Sequence, residues 1–99
     1  MTLEQYMKKI NKLNYEMQKL DKRIKATFLK FDLVAQLNYK FTRLECRADL
    51  NDKFSEINIL KLTKNQLTPL DIKNIEGAIE GAEQFVKKYN ELIDRPLVT

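Results

Sequence analysis

The chain has no histidine, no tryptophan, one cysteine, two glycines and two prolines in 99 residues. Without histidine it lacks the usual general base near neutral pH and the commonest metal ligand, which argues against hydrolytic and metal chemistry. The lone Cys46 rules out an intrachain disulfide, and its expected role is a small buried side chain rather than a reactive thiol. No run approaches the roughly 20 apolar residues of a membrane span, and the opening residues lack the apolar core of a signal peptide, so a cytoplasmic protein with no membrane contact is expected. No glycine-rich phosphate loop is present, because Gly77 and Gly81 fall inside a helical pattern. No catalytic residue, metal ligand or cofactor is assigned.

Neither glycine nor proline occurs before Pro69, so nothing in that stretch forces a helix to stop. Leu3, Ile10, Met17, Ile24 and Phe31 recur every seven residues, with Tyr6, Leu13, Leu20 and Val34 three residues after each, Thr27 being the one polar interruption. This is a coiled-coil seam of a and d positions, and it predicts a long helix that packs against another. Val34, Leu37, Phe41, Leu44 and Ala48 keep the three-and-four spacing, which extends the predicted helix over 3–48 with Asp32 and Asn38 as its weak points. Asp49, Asn51 and Asp52 are the first cluster of turn formers, and Asn51 or Asp52 is placed to cap a new segment. Residues 53–63 are ambiguous between helix and a short extended piece, and helix is the favoured reading.

Thr68, Pro69 and Asp71 form a sharp start signal, and Ile72, Ile75, Ile79, Ala82, Phe85, Val86, Tyr89 and Ile93 carry a helix over 69–94 that Arg95 and Pro96 end. The expected fold is all-α and one domain: a long heptad helix packed antiparallel against a shorter and a C-terminal helix. With a reversal near Asn51 the shape is a two-arm hairpin, and with a bend near Asn38 it is a three-helix bundle. A hairpin leaves little closed core, so completion by oligomerisation is expected.

Four surfaces remain to be assigned. Lys8, Lys12, Tyr15, Lys19 and Lys22 follow spacings of 4, 3, 4 and 3 away from the seam, with Lys25 extending them; a solvated face outweighs an anion or partner site here. Glu76, Glu80 and Glu83 share one helical face, again read as solvated. Ala26, Phe28, Leu29, Phe31, Leu33, Val34, Ala35 and Leu37 surround the first helix with apolar groups, which marks either a multi-helix core, the favoured reading, or a patch for a protein partner. Gly77 and Gly81 each cost about 1 kcal/mol of helix propensity relative to alanine, and a close helix crossing is the expected reason, so that alanine there is expected to be neutral or harmful. The residues expected to pack helices or form an oligomer interface are thus Leu3, Ile10, Leu13, Met17, Leu20, Ile24, Phe28, Phe31, Gly77 and Gly81.

Leu3, Lys9, Ile10, Leu13, Leu20 and Arg23 together resemble the opening helix of the all-helical chorismate mutases. The resemblance covers under a third of the chain, and Met7 stands where that family carries its substrate-binding arginine, so no activity is carried over.

The net charge of +4 is uneven: residues 1–47 hold eleven basic and five acidic groups, whereas 48–99 hold seven and nine. Such asymmetry steers acidic partners to the first half or draws the two halves together. The abundance of lysine, asparagine and isoleucine fits an AT-rich coding sequence such as phages and mobile elements carry. The leading expectation is a small non-enzymatic interaction protein, an inhibitor, adaptor or regulator, forming a homo-oligomer and binding a protein partner. The alternatives are a nucleic-acid accessory protein that lays its lysines on the phosphate backbone, and an oligomeric sponge for small anions or nucleotides.

Overall fold

Thr2 and Gln5 start the first helix by serving each other's backbone: the Gln5 amide donates to Thr2 Oγ1 (3.2 Å) and the Thr2 amide to Gln5 Oε1 (2.9 Å). This reciprocal capping satisfies two amides that an α-helix leaves without partners. The computed structural model describes residues 1–27 and 31–94 and contains three helices, α1 (Leu3–Thr27), α2 (Leu33–Thr63) and α3 (Pro69–Asp94), each packed against the other two, with no strand among the described residues.

The expected helix over 3–48 is corrected. α1 ends at Thr27, whose hydroxyl donates back to the carbonyl oxygen of Arg23 (3.0 Å), and α2 starts after Asp32. Asp32 is the N-cap: its backbone is extended, and its carboxylate accepts the Ala35 amide at 2.8 Å. That bond stabilises the start of α2 where the chain reverses. The bend therefore lies before Asn38, which is an exposed residue inside α2. Lengths explain the choice. At 1.5 Å per residue the three helices measure about 38, 47 and 39 Å and cover one another, whereas a helix over 3–48 would overhang α3 by about 30 Å.

Asn51 and Asp52 do not cap a new helix either; α2 runs through them, and residues 53–63 are helical. Leu50 and Ile57 on either side are completely buried, and one continuous helix keeps both in the same apolar stripe. α2 ends at Lys64, which takes a left-handed conformation with φ 56°. α3 begins as expected: the Asp71 amide donates to Thr68 Oγ1 and the Thr68 amide to Asp71 Oδ2, both at 3.1 Å, with Pro69 at the first helical position. The expected stop at Arg95 and Pro96 lies outside the described residues.

The observed shape is the three-helix alternative, a rod of 56 × 20 × 19 Å. Lys61 reaches Glu4 and Arg43 reaches Asp21, so α2 runs antiparallel to α1. Tyr6 bonds Glu76 and Arg23 bonds Asp94, so α3 runs parallel to α1. The core is the expected seam plus its two facing stripes. Tyr6, Ile10, Leu13, Met17, Leu20 and Ile24 come from α1, Tyr39, Leu50 and Ile57 from α2, and Ile75, Ile79, Ala82, Phe85, Val86 and Tyr89 from α3. Leu3, Phe31 and Cys46 pack at its edge, Cys46 half-buried, while Phe28 lies outside the described residues.

The glycines play no part in this packing. Gly77 and Gly81 are exposed, and a methyl group added to either meets nothing within 4 Å. The expected close crossing is thus absent among the described residues; Ala82, completely buried, is the small residue that faces the core. Gly77→Ala and Gly81→Ala are accordingly each expected to stabilise the fold by up to about 1 kcal/mol, or roughly 4–8 °C in Tm. A thermal melt showing a lower Tm for either variant would contradict this placement.

Candidate functional site

Three places on the bundle carry chemistry or an unsatisfied surface. The first is the basic face of α1. Lys8, Lys12, Tyr15, Lys19, Lys22 and Lys25 are all exposed and follow one side of the helix, opposite the buried seam. None of these lysines makes an ion pair among the described residues. Lys19 Nζ lies 4.6 Å from the centre of the Tyr15 ring, a cation–π contact that holds the phenol along the stripe. Two shallow grooves of about 420 and 220 Å³ lie beside it between α1 and α3, lined by Glu16, Glu80, Glu83 and Lys87 in one and Lys9, Lys12, Glu16 and Glu83 in the other. The carboxylates of α3 thus partly offset the lysines there. No group of three or more Cys, Asp or Glu among the described residues is placed to hold a metal ion.

The second place is a polar and aromatic cluster near the α1–α2 turn. Asp21 accepts the Tyr39 hydroxyl and receives a two-point clasp from Arg43, Nε at 2.6 Å and Nη2 at 2.5 Å. The ring of Tyr39 stacks on Phe85 at 5.5 Å and meets Tyr89 edge-on at 4.9 Å. Burial, reinforced by the bond to Asp21, pushes the Tyr39 phenol well above its ordinary value, and the Asp21 carboxylate raises Arg43. Tyr6 is raised by its bond to Glu76, and Tyr89 by burial. Asp21, Tyr39 and Arg43 are bonded to one another across the two helices, so the cluster is a clasp between helices rather than a reactive centre. Arg23 plays a similar part, donating to Asn90 Oδ1 and Asp94 Oδ1, both at 2.5 Å.

The third place is the outer face of α2. Leu33, Val34, Leu37, Phe41 and Leu44 are 70, 66, 43, 63 and 61% exposed, and Ala48 continues the row. The expectation that these residues lie in the core is corrected. The core stripe of α2 is Tyr39, Cys46, Leu50, Phe54 and Ile57, which lies about 160° around the helix from the outer row at roughly 100° per residue. Of the apolar belt expected around the first helix, Ala26, Leu33, Val34 and Leu37 are exposed and Phe31 and Ala35 half-buried, while Phe28 and Leu29 lie outside the described residues. The sequence does hold a signal for this face. α2 has two apolar rows where a helix covered on one side needs one, but under the assumption of an unbroken first helix the outer row looks like more of the seam.

The raised tyrosines make stability fall with alkali. Their folded-state values lie above the unfolded value of about 10, so the unfolded chain releases protons first and stability drops as pH rises past it. Tyr39→Phe is expected to cost about 1 kcal/mol at neutral pH, by losing the bond to Asp21, and to flatten this alkaline decline. Urea melts giving the same alkaline slope for both chains would contradict the assignment.

No helix among the described residues is long and apolar enough to cross a membrane. No family model, curated protein or solved structure matches the chain, which leaves these three surfaces as the ground for a functional reading.

Proposed function

We propose that the chain is a non-enzymatic helical interaction module, of the kind that serves as an inhibitor, adaptor or regulator, and that it works through the outer face of α2. The carrying observation is that Val34, Leu37, Phe41, Leu44 and Ala48 form a continuous apolar row that the chain's own fold leaves open to water. Monomers seldom keep a contiguous apolar patch unless something covers it. The row has heptad spacing on a helix already held straight by its other face, which suits a second helix laid alongside. The buried seam of α1 cannot serve this purpose, because α2 and α3 already fill it. The lack of histidine and the full engagement of the Asp21, Tyr39 and Arg43 groups within the fold support a role without catalysis.

A second reading rests on the basic face of α1, whose five lysines are exposed and form no ion pair among the described residues. There the chain would lie along a nucleic-acid backbone without reading bases. Log affinity for duplex DNA is then expected to fall against log salt with a slope of about −4; absence of any gel shift at low salt would remove it.

The leading reading is tested with a triple variant, Leu37→Lys, Phe41→Gln and Leu44→Lys. Because the row is exposed, each substitution is expected to change stability by no more than about 0.5 kcal/mol, while binding of a hydrophobic dye and any concentration-dependent association are lost. Unfolding of the variant, or equal dye binding and equal sedimentation for both chains, would contradict the reading.

A further inference from the structure

We propose that the occupant of the outer face is a second copy of the chain, with the two α2 helices parallel and in register. This rests on the reading of that face as a contact surface and names what it contacts. The row assigns Val34, Phe41 and Ala48 to one heptad position, a, and Leu37 and Leu44 to the other, d. Leucine at both d positions with the β-branched Val34 at the first a position fits two parallel strands, in which a residues meet a residues and d residues meet d residues.

The flanking charges select the direction. Lys40 and Arg47 line one side of the row, and Glu45 and Asp52 line the other; all four are exposed. In a parallel pair each residue on the first flank lies beside the residue five positions later on the opposite flank of the other helix. Lys40 then meets the partner's Glu45, Arg47 meets the partner's Asp52, and symmetry repeats both pairs. An antiparallel pair sets like flanks together, so Lys40 and Arg47 face basic groups while Glu45 and Asp52 face acidic ones. Flank charges of this kind fix partner and orientation in two-stranded contacts.

The extent of the row sets the strength. Asn51 and Ser55 occupy its next two positions, so the apolar contact ends after about two heptads. A contact that short is weak between disordered peptides. Here each helix is already ordered by its own core, which removes most of the ordering cost of association. The core stripe points away from the row, so the two bundles stand on opposite sides of the α2 pair and do not collide. The product is a modest, salt-sensitive dimer.

Sedimentation equilibrium of the full chain, combined with cysteine pairing, tests this. In a Cys46→Ser background, Val34→Cys and Ala48→Cys chains are mixed in equal amounts and oxidised gently. The parallel dimer is expected to give disulfides only between identical positions, since positions 34 and 48 of paired helices lie about 21 Å apart along the axis. The K40E/R47E chain is expected to dimerise about tenfold or more weakly, and addition of E45K/D52K to the same chain to restore the affinity. Far-UV circular dichroism verifies that each variant is folded. Cross-links only between positions 34 and 48, or no rescue by the second charge pair, would overturn the parallel arrangement. A chain that stays monomeric up to near-millimolar concentration while its outer face still binds the dye would overturn the second copy as occupant and leave the contact-surface reading standing. A monomer that also binds no dye would overturn both.

Discussion

The break before α2 is the constraint on which the rest of the structure depends. By ending α1 at Thr27 and restarting the chain at the Asp32 cap, it turns a possible two-arm hairpin into three helices of similar length that cover one another. It also decides which of the two apolar rows on α2 turns inward. Tyr39, Leu50 and Ile57 go to the core, and Phe41 and Leu44 go to water. An exposed N-cap is worth only about 1 kcal/mol, so the cap locates the turn, while burial of the three facing stripes supplies most of the free energy.

Much of this is written locally and is legible. The seam from Tyr6 to Ile24 is buried as its seven-residue spacing requires, and the Thr68, Pro69 and Asp71 signal places α3 to the residue. What is not legible is the competition between signals of equal local strength. Asp32 and Asn51 are both acceptable caps. The choice falls on Asp32 because a turn there lets the seam of α1 meet α3 over its full length, a tertiary gain that no local window contains. The same blindness affects Gly77 and Gly81. Small residues at helical spacing signal close approach only if a neighbour exists, and here the neighbours lie on the other side of α3. For the candidate site, the lysine face is visible as a spacing, whereas the outer row of α2 becomes a surface only once the break is known.

Electrostatics trims the bundle rather than making it. The exposed pairs Lys61–Glu4 and Arg23–Asp94 tie helix ends together, and such pairs contribute little individually. The Asp21–Arg43 pair is better shielded and shares its carboxylate with Tyr39, so it fixes the rotation of α2 against α1 as well as adding stability. That rotation is what aims Leu37, Phe41 and Leu44 outward. The clasp on the inner side of α2 and the exposed apolar row on its outer side are two consequences of one orientation.

A dilution series of backbone amide NMR spectra tests this division of α2 most directly, because it reads every residue at once in the unaltered protein. Concentration-dependent shifts or broadening are expected to be confined to the outer row and its flanks, from Leu33 to Asp52, with the amides of α1 and α3 unchanged. Changes centred on the Lys8–Lys25 face or around Gly77 and Gly81 would contradict this division, and spectra that do not change with concentration would contradict a second copy as the occupant of the outer face.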